Sequence, residues 1–371
     1  MKAVILENQF TESMIREGRE NLLTIANHSL SEWLERAAKA AGLDLVRPSE
    51  VTGDEPAVLF LSAGFPFPEK ETLRGYLDED GIAIRDENDE LVAFTWSRED
   101  GTEILSELKN KEVIFEDLAK LIKEPGEERP YFTMDLPHII GFSELTQVAF
   151  WMHEAINDAF MENGVRIDQP FDTIIDPDAE IGRGTWIQGR VQILGKTVIG
   201  EDCRITDGSY LEDSTIGKGV VIKSSVIESS VMEEGSNIGP FSHLRPQAHL
   251  GKNVHVGNFV ELKKASMGEG SKAGHLAYIG DAEVGRDVNI SCGVIFCNYD
   301  GKKKHLTKVG DGAFLGSNAN LVAPVEVEKE GFVAAGSTIT KKVPEGTLVV
   351  ERSEQKQIPG YVAKRKEKGT L

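Results

Sequence analysis

From about residue 175 to about residue 350, aliphatic residues return at every sixth position. One ladder runs Ile181, Ile187, Ile193, Ile199, Ile205, Leu211. A second runs Ile238, Leu244, Leu250, Val256, Leu262, and a third Val309, Leu315, Leu321, Val327, Val333, Ile339. A period of six suits neither the 3.6 of an α-helix nor the 2 of a plain strand. It suits a coil of three short faces, one hexapeptide each, with the aliphatic residue pointing inward and stacking on the coils above and below. Glycine follows many of these residues, as in Ile181-Gly182, Ile199-Gly200 and Val256-Gly257. A small residue there answers a need for positive φ or a tight fit at the corner. The pattern therefore predicts a left-handed parallel β-helix. Its phase slips near residues 216, 267 and 284 read as corner adjustments. The stretch from Asn298 to Lys308, NYDGKKKHLTK, breaks the repeat and carries several cations, so it reads as a loop thrown out from one corner.

The first part of the chain has another character. With 371 residues, two domains are expected. Lys2 to Leu6, Ala57 to Leu61 and Glu90 to Trp96 read as strands. Ser29 to Ala41 reads as a helix capped by Ser29 and stopped by Gly42. Lys70 to Leu77, Glu103 to Lys109 and Ile114 to Ile122 are further helical stretches. Strands alternating with helices predict an α/β sheet over residues 1–140. Gly141 to Gly164 carries Val148, Trp151, Ile156 and Phe160 at helical spacing, so 141–170 is expected to be a linker helix, with Trp151 and Phe160 in its core. The β-helix is then 171–352, and 353–371 a tail rich in Lys and Gln.

Charge and composition narrow the function. Sixty-one acidic residues against 41 basic ones give a formal charge of −20, which disfavours nucleic acid and anionic membranes as partners. An anionic ligand must then be held by a few local cations. No apolar run reaches transmembrane length. The opening MKAVIL is too short an apolar run for a signal peptide, so a cytoplasmic location is expected. Cys203, Cys292 and Cys297 form neither a disulfide framework nor a zinc pattern. His243, His249 and His255, spaced by six, are expected to stack along one face. Three such imidazoles would suit a zinc site, but no metal-ligand spacing supports one. No metal is expected in the N-terminal domain either.

The segments GPFSHLRPQAHLGKNVHVGNFVELKKASMGEG, HLAYIGDAEVGRDVNI and CNYDGKKKHLTKVGDGAFLGSNANLVAPV closely resemble the acetyltransferase domain of one bacterial family. Its members are bifunctional glucosamine-1-phosphate N-acetyltransferases and N-acetylglucosamine-1-phosphate uridylyltransferases, which make UDP-N-acetylglucosamine. The resemblance is strong from about residue 141 to 352. It implies His275 as general base, Glu261 as a carboxylate assisting it, and Asn298 near the reacting centre. It implies that Arg245 and Lys263 hold the sugar phosphate and that Tyr278 and Asn289 contact the sugar. Acetyl-CoA is implied as co-substrate, near Cys292, Tyr299, Lys304, Ser317, Ala335 and Arg352. A homotrimer with sites between adjacent β-helices is also implied.

The chemistry suits these residue types. A sugar ammonium must lose a proton before its nitrogen can attack a thioester, and a neutral imidazole can take it. Backbone N–H groups near Cys292 are candidates to stabilise the oxyanion. Four positions depart from the family pattern: Gly274 for Asn, Ala277 for Ser, and Ser291-Cys292 for Gly-Ala. They keep open a different amino-sugar acceptor. The N-terminal domain departs further. MKAVIL resembles the first strand of the uridylyltransferase, yet it runs into ENQFTESMIREG without the glycine-rich phosphate loop. The family's next lysine corresponds to Asn21. Its two metal ligands correspond to Gly64 and Ser143. A shortened, catalytically silent uridylyltransferase-like domain is therefore expected. The loss of one site also leaves a non-catalytic sugar-phosphate-binding scaffold as an alternative.

Overall fold

The computed structural model describes residues 2–25, 28–52, 58–64, 83–85, 91–96, 104, 106–109, 113–119, 131–133 and 138–370. It divides into two compact units. One comprises Met1–Ala159 with Thr173–Pro177, and the other Phe160–Asp172 with Asp178–Leu371.

The first unit is built on a six-stranded mixed sheet. Its order is Asp44–Leu45, Lys2–Leu6, Val58–Ser62, Leu91–Trp96, Ala83–Arg85, Tyr131–Thr133. The central strand Val58–Ser62 is buried along its whole length. Val58 and Phe60 join one core with Val4, Phe94 and Phe115, while Leu59 and Leu61 join another with Ala3, Leu34 and Ala38. Such two-sided burial is why this strand reads as an unbroken apolar run. Asn8 caps the helix Gln9–Arg16, and Ser29 caps Leu30–Ala40 in a reciprocal box with Glu32. The stop at Gly42 is met by a left-handed φ of 79°. Of the last two helical stretches, Ile104, Ser106 and Glu107 are helical, and Phe115–Ala119 is a short helix. The helix expected at Lys70 to Leu77 lies outside the described residues.

The helix Phe142–Glu162 forms as its spacing predicts. Leu145 and Val148 pack with Ile25, Leu30 and Ile139. Trp151 and Phe160 are only half-buried, which corrects their assignment to the core. The buried stripe of the helix is narrower than the run of large apolar residues along it. No helix among the described residues is long and apolar enough to cross a membrane.

The second unit is a left-handed parallel β-helix of about 10 turns. An 11-stranded parallel sheet forms one face, and a 17-stranded sheet wraps the other two. Inward aliphatics stack in register: Ile187 on Ile205, Ile193 on Leu211, Leu244 on Leu262, Leu315 on Val333. Each is almost fully buried, worth ~1.5–3 kcal/mol relative to exposure. The short steps expected near 216, 267 and 284 are present, and two more fall at Ile227 and Met232. Val226 still pairs with Tyr210, and Val231 with Thr215, so a shortened corner preserves the stack.

Two classes of small residue sit at the corners. Glycines that follow the aliphatic residue pack backbone on backbone: a Cβ on Gly200 would lie 2.8 Å from the Lys218 amide nitrogen. Left-handed φ belongs to a different position, where Asp202, Asn253 and Asn318 serve as well as glycine. The tight fit is what most Ile-Gly pairs answer; Gly239, after Ile238, combines it with a φ of 104°. Buried hydroxyls add a third device. Ser242 donates to the Gly257 carbonyl at 2.6 Å and accepts from the Val260 amide at 2.9 Å, tying coil to coil.

The β-helix also corrects the three histidines. A step of six advances one whole face, so His243, His249 and His255 lie on three different strands: His243–Leu244, His249–Leu250 and His255–Asn258. They do not stack. Each has its own partner: Glu228 for His243, Glu233 for His249, Asn237 for His255.

The two glycine classes should respond differently to substitution. Gly200→Ala should lower stability by ~1–3 kcal/mol through overpacking. Gly219→Asn, at a left-handed corner with nothing within 4 Å of its Cβ, should change it by less than about 0.5 kcal/mol. Denaturant midpoints measure both; equal losses would reject the distinction.

Candidate functional site

The strand Lys272–His275, interior to the 11-stranded sheet, ends on His275. The inward residues Val256, Ala273, Ile290, Leu315 and Val333 are stacked in register on that sheet. Two residues beyond each stand Asn258, His275, Cys292, Ser317 and Ala335. One residue of the implied base and three of the implied cofactor positions thus form a single vertical column. Main-chain bonds hold it: the Asn318 amide donates to the Cys292 carbonyl at 2.9 Å, and the Gly336 amide to the Ser317 carbonyl at 2.8 Å. Arg352 donates from Nη1 to the Ala335 carbonyl at 2.9 Å, which brings it to the same column.

Leu276 turns the corner with φ 48°, and Tyr278 begins the next face. There Glu261 pairs in register with Tyr278, and Lys263 with Gly280. Arg245 donates from Nη1 to Glu261 Oε1 at 2.8 Å, and this contact raises its pKa. Lys263 is pressed against the Lys304 ammonium. That contact, with Arg245 as a lesser contributor, pulls the pKa of Lys263 down. Arg245, Lys263 and Lys304 therefore gather on one patch of an acidic protein, with Glu261 on Arg245 and Asp281 near Lys263 offsetting part of their charge, and an anion would relieve the rest. The two residues implied for the phosphate, Arg245 and Lys263, are brought together here, and Lys304, implied for acetyl-CoA, stands beside them.

Asn298 is buried beside Tyr278 and Asp281. Its Nδ2 donates to an Asp281 carboxylate oxygen and reaches the Tyr278 hydroxyl at 3.4 Å. The expected loop begins here. It is a compact hairpin in which Tyr299 bridges to Lys304 and the Tyr299 hydroxyl donates to the Gly301 carbonyl. Asp300 accepts the Lys302 and Lys303 amides at 2.7 Å and faces His305 Nε2 at 2.7 Å. His305, which belongs to no motif, is thus a tie within the loop. Asn289 lies on the 11-stranded sheet and donates to Ser291 Oγ at 3.0 Å.

Two contacts were not foreseen in the sequence. The hydrogen-bond partner of His275 is Asn258, not Glu261, which is engaged with Arg245. The partner of Asn298 is Asp281. Both partners lie one coil from the residue they hold. Coil length, once known, is the signal that would have found them.

In the first unit, Asn8, Ser62 and His138 close on one another at the carboxyl ends of Lys2–Leu6 and Val58–Ser62. Ser62 Oγ lies 2.7 Å from His138 Nε2, and Asn8 donates to the Ile139 carbonyl at 2.8 Å. Gly64, the position that the resemblance sets against a family metal ligand, has no room for a side chain. A Cβ there would collide with Asn8 Nδ2 and the Ile139 carbonyl oxygen. Ser143, the other such position, is exposed on the helix Phe142–Glu162.

Sequence comparison is consistent with this geometry. Residues 178–213 match the bacterial transferase hexapeptide (six repeats) family. Over 293 residues the chain is 46% identical to the bifunctional protein GlmU of Shouchella clausii (strain KSM-K16), covering 77% of this chain and 64% of that protein. It is 45% identical over 264 residues to the bifunctional protein GlmU of Bacillus velezensis, covering 70% of this chain and 58% of that one. Over these stretches the chain is similar to the bifunctional GlmU proteins. It spans about 64% of the length of the first of them. A solved UDP-N-acetylglucosamine acyltransferase from Francisella novicida overlaps 50% of this chain and 66% of its own, at 20% identity and a TM-score of 0.37.

The hairpin has a pH signature. Its hydrogen bond with His305, then those from Lys303 and Lys302, hold the Asp300 carboxyl down at about 2. A depressed carboxyl stabilises the fold above its unfolded pKa, near ~3.9, and loses that contribution as pH falls toward 2. His305→Ala should therefore move the Asp300 titration upward. A carboxyl-detected NMR titration reads this, and an unchanged midpoint would reject the tie.

Proposed function

We propose that this protein transfers the acetyl group of acetyl-CoA to the amine of glucosamine-1-phosphate. The observation that carries this reading is the column of His275, Cys292, Ser317 and Ala335 standing across one corner from the Arg245, Lys263 and Lys304 patch. The patch suits a phosphate, and the column suits an acyl donor beside a base. The GlmU relatives support the same sugar class.

The steps follow from charge. The sugar phosphate docks on Arg245 and Lys263, and Glu261 holds the Arg245 fork in place. His275 takes a proton from the sugar nitrogen, which attacks the thioester carbonyl. The C–S bond breaks as the C–N bond completes, the departing thiolate recovers a proton from the imidazolium, and the second proton lost by the nitrogen passes to water. Asn298, held by Asp281, and Tyr278 line the sugar side. Cys292, Tyr299, Lys304, Ser317, Ala335 and Arg352 line the donor side. The active form is a homotrimer in the cytoplasm, with adjacent β-helices completing each site.

Uridylyl transfer is lost in this reading. Nucleotidyl transfer needs a phosphate cradle and a divalent cation. The strand Lys2–Leu6 leads through Glu7 and Asn8 straight into a helix, and the Gly64 position cannot carry a carboxylate.

A second reading keeps the fold and changes the acceptor. Asn289 spends its amide on Ser291, and Ser291-Cys292 is itself a departure from the family pattern. Comparison of kcat/KM across amino sugars and amino-sugar nucleotides separates the two.

Thiol release from acetyl-CoA in the presence of glucosamine-1-phosphate is the direct test. Wild-type protein should turn over, and His275→Ala should lose at least ~100-fold in kcat. Arg245→Ala should raise KM for the sugar phosphate, more so at low salt. No acetyl transfer to any amino sugar would leave the scaffold alternative standing. With UTP, Mg²⁺ and N-acetylglucosamine-1-phosphate, no uridylyl product should form. Gly64→Asp should not restore it; robust wild-type turnover would overturn this part.

A further inference from the structure

Asn258 ends its stretch of sheet one coil before His275, and the register pairs the two residues directly. His275 Nδ1 lies 2.8 Å from Asn258 Oδ1. The next amide, that of Leu276, donates to the Asn258 carbonyl at 3.0 Å. Asn258 therefore grips both the imidazole and the turn that follows it.

We propose that Asn258 is the positioning residue of the base. Its amide oxygen accepts the Nδ1–H of His275, which fixes the tautomer and leaves the lone pair on Nε2. The proposal rests on His275 being the general base of the acetyl transfer above. A neutral amide suits the task better than a carboxylate. A carboxylate at the same distance would orient the ring equally well. It would also stabilise the imidazolium, so that more of the enzyme would start protonated and unable to accept the sugar's proton. The amide orients the ring without holding the proton.

Among the described residues of this chain, no carboxylate is hydrogen-bonded to His275 in place of Asn258. On the strands packed against His275 the titratable groups are His255 and Lys272. Cys292 follows one coil later, and Tyr278 stands across the corner. Glu261 is bound to Arg245. His255 makes a parallel contact with Asn237 one coil earlier, so a histidine at an asparagine is a pairing this helix builds more than once. Of these two histidines, His275 is the one whose strand leads through Leu276 to the face that carries the cation patch. The opposite amide orientation would donate Nδ2–H to Nδ1, place the proton on Nε2 and disable the base, so the tautomer is decisive.

Nitrogen NMR of full-length, histidine-labelled protein reads it, with the His275 signals assigned by their loss in His275→Ala. The Nδ1–H tautomer is expected; the Nε2–H tautomer overturns the proposal. In the acetyl-transfer assay, Asn258→Ala should lower kcat by about 10–100-fold, the range for a lost orienting partner, with KM for both substrates within about twofold. Asn258→Asp should retain kcat at high pH and move the acidic limb of the pH profile upward by about one unit. An unmoved limb with full activity in both variants overturns the proposal. Full activity in His275→Ala would sink the base reading and the proposal together. Full activity in Asn258→Ala beside a dead His275→Ala would sink the proposal alone.

Discussion

Coil-on-coil stacking is the constraint on which the second unit depends. Each inward aliphatic is stacked between its counterparts one coil away, as Ile205 is between Ile187 and Ile222. No coil can bury its own face alone. Close approach of successive backbones follows, and Gly200 and Gly217 are glycines because the next coil's main chain occupies the space a Cβ would need. The same constraint permits variation elsewhere. A corner can lose a residue, as at Ile216, or gain a hairpin, as between Phe296 and Val309, provided the next aliphatic returns to its place. Val309 does so, pairing with Val284 across the insertion.

Stacking also explains how the site is made. A coil places one residue of each kind at each height, so residues far apart in sequence align in a column when they share a position within the coil. Asn258, His275, Cys292, Ser317 and Ala335 are aligned for that reason alone. The cation patch arises on the neighbouring face by the same rule, with Arg245 and Lys263 on consecutive coils and Lys304 returned to them by the hairpin. In a chain of charge −20, holding three cations together works against the drive to disperse like charges. The depressed pKa of Lys263 is the trace of that cost.

The first unit shows the reverse relation between fold and site. Its sheet is intact, with Val58–Ser62 buried on both sides. Yet the carboxyl ends of its strands, where α/β sheets commonly bind ligands, are filled by Asn8, Ser62 and His138. A core is insensitive to what happens at its rim. Gly64, on that rim, is packed against Asn8 and the Ile139 carbonyl without disturbing the sheet.

The hexad period by itself determined the β-helix, its inward ladder and the break at Asn298, because burial repeats wherever the period does. Local caps such as Ser29 with Glu32 were equally legible, since both partners lie within one turn. The motif residues Arg245, Lys263 and His275 were legible through resemblance to a family, not through the period. The tertiary structure decided what the period could not express. A step of six moves a residue to the next face, so His243, His249 and His255 separate although their spacing suggested a stack. Contacts run between coils at intervals that shortened corners make unequal, so Asn258 as the partner of His275, and Asp281 as that of Asn298, emerge only from the register. Sequence records which residues face inward; alignment of one coil on another decides which of the outward ones meet.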